Sequence, residues 1–206
     1  MEHTITDLKW CRSQPDRVMV HVDGQPCAKV SLVAAGRLSV GDRVNADIMK
    51  QWQADQGRRE AYLYAVRVLG ARDHSRHELR QKLRRQGFGQ AAIDAVTEKL
   101  MDQNYLDDQV YAASYVASRM KTSPRSRRLM AQELKRKGIR DDHIEAALKP
   151  VDERRMALAC IHRKRRRWRR FEGQQRRMKM LAHLSGKGFS YDVSRRAVET
   201  YCAQAD

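Results

Sequence analysis

From residue 58 onward, apolar positions recur at intervals of three and four. Tyr62, Ala65, Val66 and Leu69 form one stripe, Leu79 and Leu83 a second, and Ile93, Val96 and Leu100 a third. That period predicts amphipathic helices joined by short turns. The stretch 75–100 is then restated twice, from Ser126 and from about Gln175. Aligned on Gly87, Gly138 and Gly188, the copies lie 51 and 50 residues apart. Leu83, Leu134 and Leu184 each precede the glycine by four, and Leu79, Met130 and Met180 by eight. Phe88, Ile139 and Phe189 follow it directly. A period of this size marks a repeat architecture, in which each unit buries its apolar face against its neighbours.

Each copy reads helix, polar turn, helix, glycine turn, helix. Ser75 and Glu78 have the spacing of a capping box. A glycine after the helix end can take the left-handed conformation, with the next apolar residue packing back on the last turn. Asp107 or Asp108 is expected to cap the first helix of the second copy, whose stripe is Tyr111, Ala112, Tyr115 and Val116. Ser123-Pro124 is expected to start its middle helix, because proline suits a first turn. In the third copy the first helix is expected to run from about 152 to 171, with Ile161, Trp168 and Phe171 on one face. Ser194 replaces the isoleucine of the other copies, as a polar outer face at the end of an array would.

Before residue 58 the period is two. Residues 17–22 alternate, Asp23-Gly24 supplies a hairpin turn, and residues 28–32 alternate again. Residues 5–10 would add a third strand, and Pro26 belongs at a strand edge or start. A turn at 38–42 should lead to a short helix over 45–53. The predicted architecture is mainly α: three tandem three-helix repeats in an elongated array, behind a small N-terminal β-hairpin region. Its segments are 1–57 (β-rich extension), 58–103, 104–150 and 151–206 (repeats).

Charge changes this picture most. The chain carries a formal +17. Residues 1–60 hold 9 basic and 8 acidic residues, whereas 154–179 hold 12 basic residues and one acid, Glu172. Such a field repels itself unless an anionic partner relieves it. The sharpest run is Arg163, Lys164, Arg165, Arg166, Arg167, Trp168, Arg169 and Arg170. On a helix it would present cations around most of the circumference, a surface for phosphate or for an acidic groove. Arg125, Arg127 and Arg128 are expected to join it. Trp168 could stack on a base, but its place on the Ile161 stripe favours the core.

Other chemistry is sparse. Cys11, Cys27, Cys160 and Cys202 are scattered, which suits a reducing compartment rather than a disulfide framework. No membrane-spanning run and no signal-peptide layout is present, so a cytoplasmic protein is expected. His74 and His77 have chelating spacing without a third ligand in sight. Cys11, His21 and Cys27 match no zinc pattern. Asp107-Asp108 and Asp141-Asp142 read as helix-start carboxylates. With no nucleophile elbow, phosphate loop or dinucleotide fingerprint, neither an enzyme nor a cofactor is expected. A base-reading helix-turn-helix is disfavoured because the last helices of the first two copies are neutral or acidic and would repel phosphate.

The sequence resembles the RecX family of RecA regulators. The marks are Ser75-Arg76-x-Glu78-Leu79-x-x-Lys82-Leu83-x-x-x-Gly87-Phe88, then Tyr105-Leu106-Asp107-Asp108 with Tyr111-Ala112. Glu133-Leu134-x-x-Lys137-Gly138-Ile139 and Ile144-Glu145-x-Ala147-Leu148 follow in order. Beyond residue 151 the likeness is carried by Gly188-Phe189-Ser190-Tyr191 and Arg195-Arg196-Ala197. The resemblance implies a curved, non-enzymatic modulator lying in the groove of the RecA–DNA filament. Such a protein mostly inhibits ATP hydrolysis, strand exchange and co-protease activity in DNA repair and the SOS response. The implied partners are the RecA filament and, weakly and salt-dependently, single- or double-stranded DNA, with the chain acting as a monomer.

Overall fold

The computed structural model describes residues 2–204, and its backbone divides into two packed units. The first takes the residues up to Arg72 together with Leu79–Tyr105. The second takes Asp73–Glu78 together with the residues from Leu106 onward.

In the first unit, β1 (Glu2–Trp10), β2 (Arg17–Val22) and β3 (Gln25–Ser31) pair antiparallel. After a short helix α1 (Leu32–Ala35), β4 (Arg43–Asn45) completes a sheet in the order β3-β2-β1-β4. The two-residue period turns Ile5, Val20, Val22 and Val30 into the core. Asp23 and Gly24 both hold positive φ, 51° and 79°, so the tight turn matches the right-handed twist of its strands. Pro26 falls on β3, an edge strand. α1 and β4 went unpredicted because four and three residues are too short to show a period.

The helix expected over 45–53 is in fact α2 (Ala46–Ala71), 26 residues without a break. Asn45 caps it, its side chain accepting the Ile48 N–H at 2.9 Å. Gly57 lies inside it with open space around its Cα. A solvated glycine costs a helix only about 1 kcal/mol, and strong helix formers flank it. The helix also shields the sheet edge, with Gln56 accepting the Lys29 N–H at 2.7 Å and Gln53 donating to the Cys27 carbonyl. α3 (Arg76–Arg85) buries Leu79 and Leu83, and α4 (Gln90–Asp102) buries Ile93, Val96 and Leu100, as their spacing predicts.

The second unit contains α5 (Asp108–Thr122), α6 (Arg127–Arg136), α7 (Asp141–Leu148), α8 (Glu153–Arg163), α9 (Arg165–Trp168), α10 (Gly173–Ser185) and α11 (Tyr191–Ala203). Met130, Leu134, Ile161, Trp168, Met180 and Leu184 anchor its core. Asp141 and Asp142 sit in the first turn of α7, behind Arg140 at the cap, as helix-start carboxylates. Three expectations need correction. Pro124 lies in the loop before α6, whose cap is Ser126. The third copy's first helix stops at Arg163, because Lys164 leaves helical geometry at φ −110°, ψ 17°. Ser194, far from forming a polar outer face, is buried with its hydroxyl unpartnered.

All three repeat glycines have left-handed φ, 84°, 75° and 84°. Behind each, the apolar residue's N–H reaches back to the leucine carbonyl five positions earlier: Phe88 to Leu83, Ile139 to Leu134, Phe189 to Leu184. This is the Schellman closure of a helix end.

The repeats are also joined by a device that the chain uses twice. The Ser75 hydroxyl donates to the Lys137 carbonyl at 2.6 Å, and the Ser126 N–H donates to the Lys187 carbonyl at 3.1 Å. The next residue's N–H meets a carboxylate from the following first helix at 2.8 Å: Arg76 with Asp108, Arg127 with Glu153. So at each middle-helix start the capping serine donates to the carbonyl just before the next repeat's glycine, through its hydroxyl at Ser75 and its N–H at Ser126, and the following N–H is satisfied by the next repeat's acid.

At the first junction the capping box closes as predicted, with Ser75 and Glu78 exchanging 3.2 Å hydrogen bonds. Glu78 also receives Lys137 Nζ at 2.7 Å and the Tyr111 hydroxyl at 3.1 Å. Burial alone would raise its pKa, but Lys137, the Ser75 N–H and Tyr111 outweigh it and hold the carboxyl at about 2, below the ordinary 4.5. A depressed folded pKa contributes stability above the unfolded value, lost as pH falls from about 4.5 toward 2. Glu78→Gln is expected to lose about 2 kcal/mol in urea unfolding at pH 7. The gap from wild type should narrow at pH 3; a gap of equal size at both pH values would remove the ion pair as its cause.

Candidate partner interface

The basic run begins on the last turn of α8 and continues around α9. Trp168 explains its shape. The indole is 1% exposed, donates to the Ile161 carbonyl at 2.9 Å and packs on His183 at 5.5 Å between ring centres. The helix breaks at Lys164, and after the turn Trp168 faces inward while its neighbours face water. Arg163, Lys164, Arg165, Arg166, Arg167, Arg169 and Arg170 are all exposed. The uniform two-turn cationic helix expected from the run is therefore replaced by a helix end, a single turn and a loop.

Two of these cations are positioned by the backbone and rings they touch. Arg163 donates to the Lys121 carbonyl at 2.7 Å, and the Arg167 guanidinium lies 5.5 Å from the Trp168 ring centre. His183 reports the local field. Its pKa is held below the ordinary value, first by burial and then by Lys164, Lys187 and Arg167, so the imidazole is neutral near pH 7. Lys187 thus belongs to the same cluster, though it lies beyond the sequence run. Its signal was its repeat position: it precedes Gly188 as Lys137 precedes Gly138.

Pairing separates these cations from the others. Arg195 and Arg196 are bound to Asp192 and Glu199, Lys135 to Asp141, and Arg140 to Asp142. Among the described residues, no ion pair joins any of the seven exposed cations of 163–170 to a carboxylate. Their charge is therefore uncompensated within the described chain.

The second predicted group divides. Arg127 and Arg128 are exposed on the first turn of α6. Arg125 is partly buried and ion-paired with Glu133, whose carboxylate also accepts from the Tyr115 hydroxyl at 2.6 Å and faces Arg119 at 3.4 Å. Arg125 is placed as a structural partner of α6, with its charge balanced locally.

The Cys160 thiol donates to the Pro124 carbonyl at 3.1 Å, and burial pushes its pKa up to about 11, far from a reactive thiolate. Among the described residues no three His, Cys, Asp or Glu side chains converge as a metal site would require, and no helix is long and apolar enough to cross a membrane.

Comparison with known proteins matches three family domains in series along the chain. The family description "RecX, first three-helix domain" matches residues 61–100, the second domain matches 107–148, and the third matches 152–198. The regulatory protein RecX of Prosthecochloris aestuarii is 34% identical over 148 residues, covering 71% of this chain and 96% of that one. That of Geobacillus kaustophilus is 29% identical over 199 residues, covering 92% and 74%. The crystal structure of RecX from Lactobacillus salivarius superposes with a TM-score of 0.61 at 26% identity, over 70% of this chain and 96% of the other. A further crystal structure of a regulatory protein RecX gives 0.71 at 23% identity over 93% and 96%, a shared fold. With all three domains matched in order on the helices described above, the chain belongs to the RecX family.

Proposed function

We infer that this protein binds the groove of the RecA–DNA filament and damps its ATP hydrolysis, strand exchange and co-protease activity. The observation that carries this reading is the run of exposed, uncompensated cations on α8 and α9, in a chain of the RecX family. A filament of protein and nucleic acid offers regularly spaced negative charge. Three repeats in series give one chain several weak contacts, which add through effective concentration. Charge steers the encounter and sets register more than it sets final affinity.

The test is ATP turnover by RecA on single-stranded DNA, with this protein added from well below to equal molar amounts. Turnover should fall, and the protein should sediment with the filament. Unchanged turnover at equimolar protein would sink the reading.

The same exposed run supports a second reading, direct binding to DNA. Counterion release then requires affinity for naked DNA to fall steeply with salt. A weak and flat salt response removes it.

A further inference from the structure

α8 and α11 leave a cleft of about 460 Å³ between them, lined by none of the cations of 163–170. Leu158 and Ala197 form an apolar floor, and Arg154, Arg155 and Arg196 stand around it with Glu199. The charges are unequal in freedom. Arg196 is tied to Asp192 at 3.3 Å, and Glu199 is neutralised by Arg195 at 2.9 Å. No ion pair engages Arg154 or Arg155 among the described residues, and both are exposed on the first turn of α8. Their backbone N–H groups are already held by Asp152, so their guanidinium groups are what they offer the cleft.

We propose that this cleft docks an acidic peptide segment of a protein partner, with one aliphatic side chain on Leu158 and flanking carboxylates on Arg154 and Arg155. It rests on the filament reading only in taking the partner to include protein. The chemistry selects a peptide over nucleic acid. The cleft is lined by no aromatic ring, so a base that entered it would have nothing to stack on. A duplex presents phosphates on convex ridges, which an interhelical cleft with an apolar floor does not match. Arginine pairs carboxylates through two parallel hydrogen bonds, and an apolar anchor between such pairs supplies specificity that charge alone lacks.

The probe is a fluorescein-labelled peptide of six Asp and Glu residues around one central Leu, with a second peptide carrying Ser in place of Leu. Anisotropy should show the Leu peptide binding more tightly than the Ser peptide. Arg154→Glu with Arg155→Glu should weaken the Leu peptide by at least about tenfold. Leu158→Ser should abolish the preference for Leu while leaving the helical circular dichroism unchanged. Charge reversal at Arg165, Arg166 and Arg167 should lower affinity for both peptides and keep that preference. Equal binding of the two peptides, or no effect of the Arg154 and Arg155 changes, overturns the cleft. So does displacement of the Leu peptide by a thymidine oligonucleotide through those same two arginines. The two readings fail separately. RecA inhibition without Leu preference overturns only the cleft, and Leu preference without RecA inhibition overturns only the filament reading.

Discussion

Gly138→Val should lower the melting temperature by about 10 °C or more, with a loss of about 4 kcal/mol. Two costs combine at this position. The backbone holds φ at 75°, where a β-branched residue is strained. A Cβ would also fall against His77 Cβ, with Cγ only 2.7 Å away, and neither atom is the mobile end of a side chain. Gly87 separates the two costs. Its φ is 84°, but nothing lies within 4 Å of a Cβ placed there. Gly87→Ala should therefore lose only about 1 kcal/mol, and Gly138→Ala about 3 kcal/mol. Gly188→Ala should behave like Gly138→Ala, since its Cβ would lie 2.6 Å from Ser126 Oγ and 2.9 Å from Leu129 Cβ. Equal losses at all three glycines would show that the left-handed turn alone is at stake and that the junction contributes nothing.

Reversing Arg165, Arg166 and Arg167 to glutamate should reduce co-sedimentation with the RecA filament by at least about tenfold near 0.1 M salt. The salt dependence should become shallower, since fewer counterions are released. Folding should survive, because all three side chains are exposed and the described contacts they give up are few. Arg167 relinquishes a ring contact worth about 0.5–1 kcal/mol at an exposed site. A melting temperature within a few degrees of wild type, together with unchanged sedimentation, would remove these arginines from the interface. Arg125→Glu is a poor companion, because it sets two carboxylates against each other at Glu133. Arg127→Glu with Arg128→Glu tests the second group without that injury.

Most of the helical fold was legible because a 50-residue period repeats the same physical instructions. Leu79, Leu83, Met130, Leu134, Met180 and Leu184 are all at 0% exposure, as their spacing from the glycines requires. The continuous α2 was not legible. A glycine at 57 and a change of hydrophobic period both suggest a boundary, yet a helix tolerates one solvated glycine when its flanks favour helix. The break at Lys164 was equally hidden. Trp168 shares the helical stripe of Ile161, but its ring finds the core through a turn that ends with the indole on the Ile161 carbonyl.

The candidate interface divides in the same way. Its net charge and place in the third repeat stood in the amino-acid order, because cations cluster there with one acid. Which arginines are free did not. Arg125 and Arg127 are two positions apart, yet one is bound to Glu133 from the next turns of α6 and the other faces water. The joining of Ser75 to Lys137 and of Ser126 to Lys187, across 62 and 61 residues, likewise left no local mark.

By itself, the sequence determined the three-repeat helical plan, the glycine turns, the hairpin and the excess of positive charge. Each depends on spacing or on backbone freedom within a few residues, which local order specifies. Only the tertiary structure decided which cations are neutralised, where the helices break and why Gly138 and Gly188 admit no side chain. Those outcomes depend on distances between residues remote in the chain, and a hydrogen bond or a clash is settled within about 1 Å.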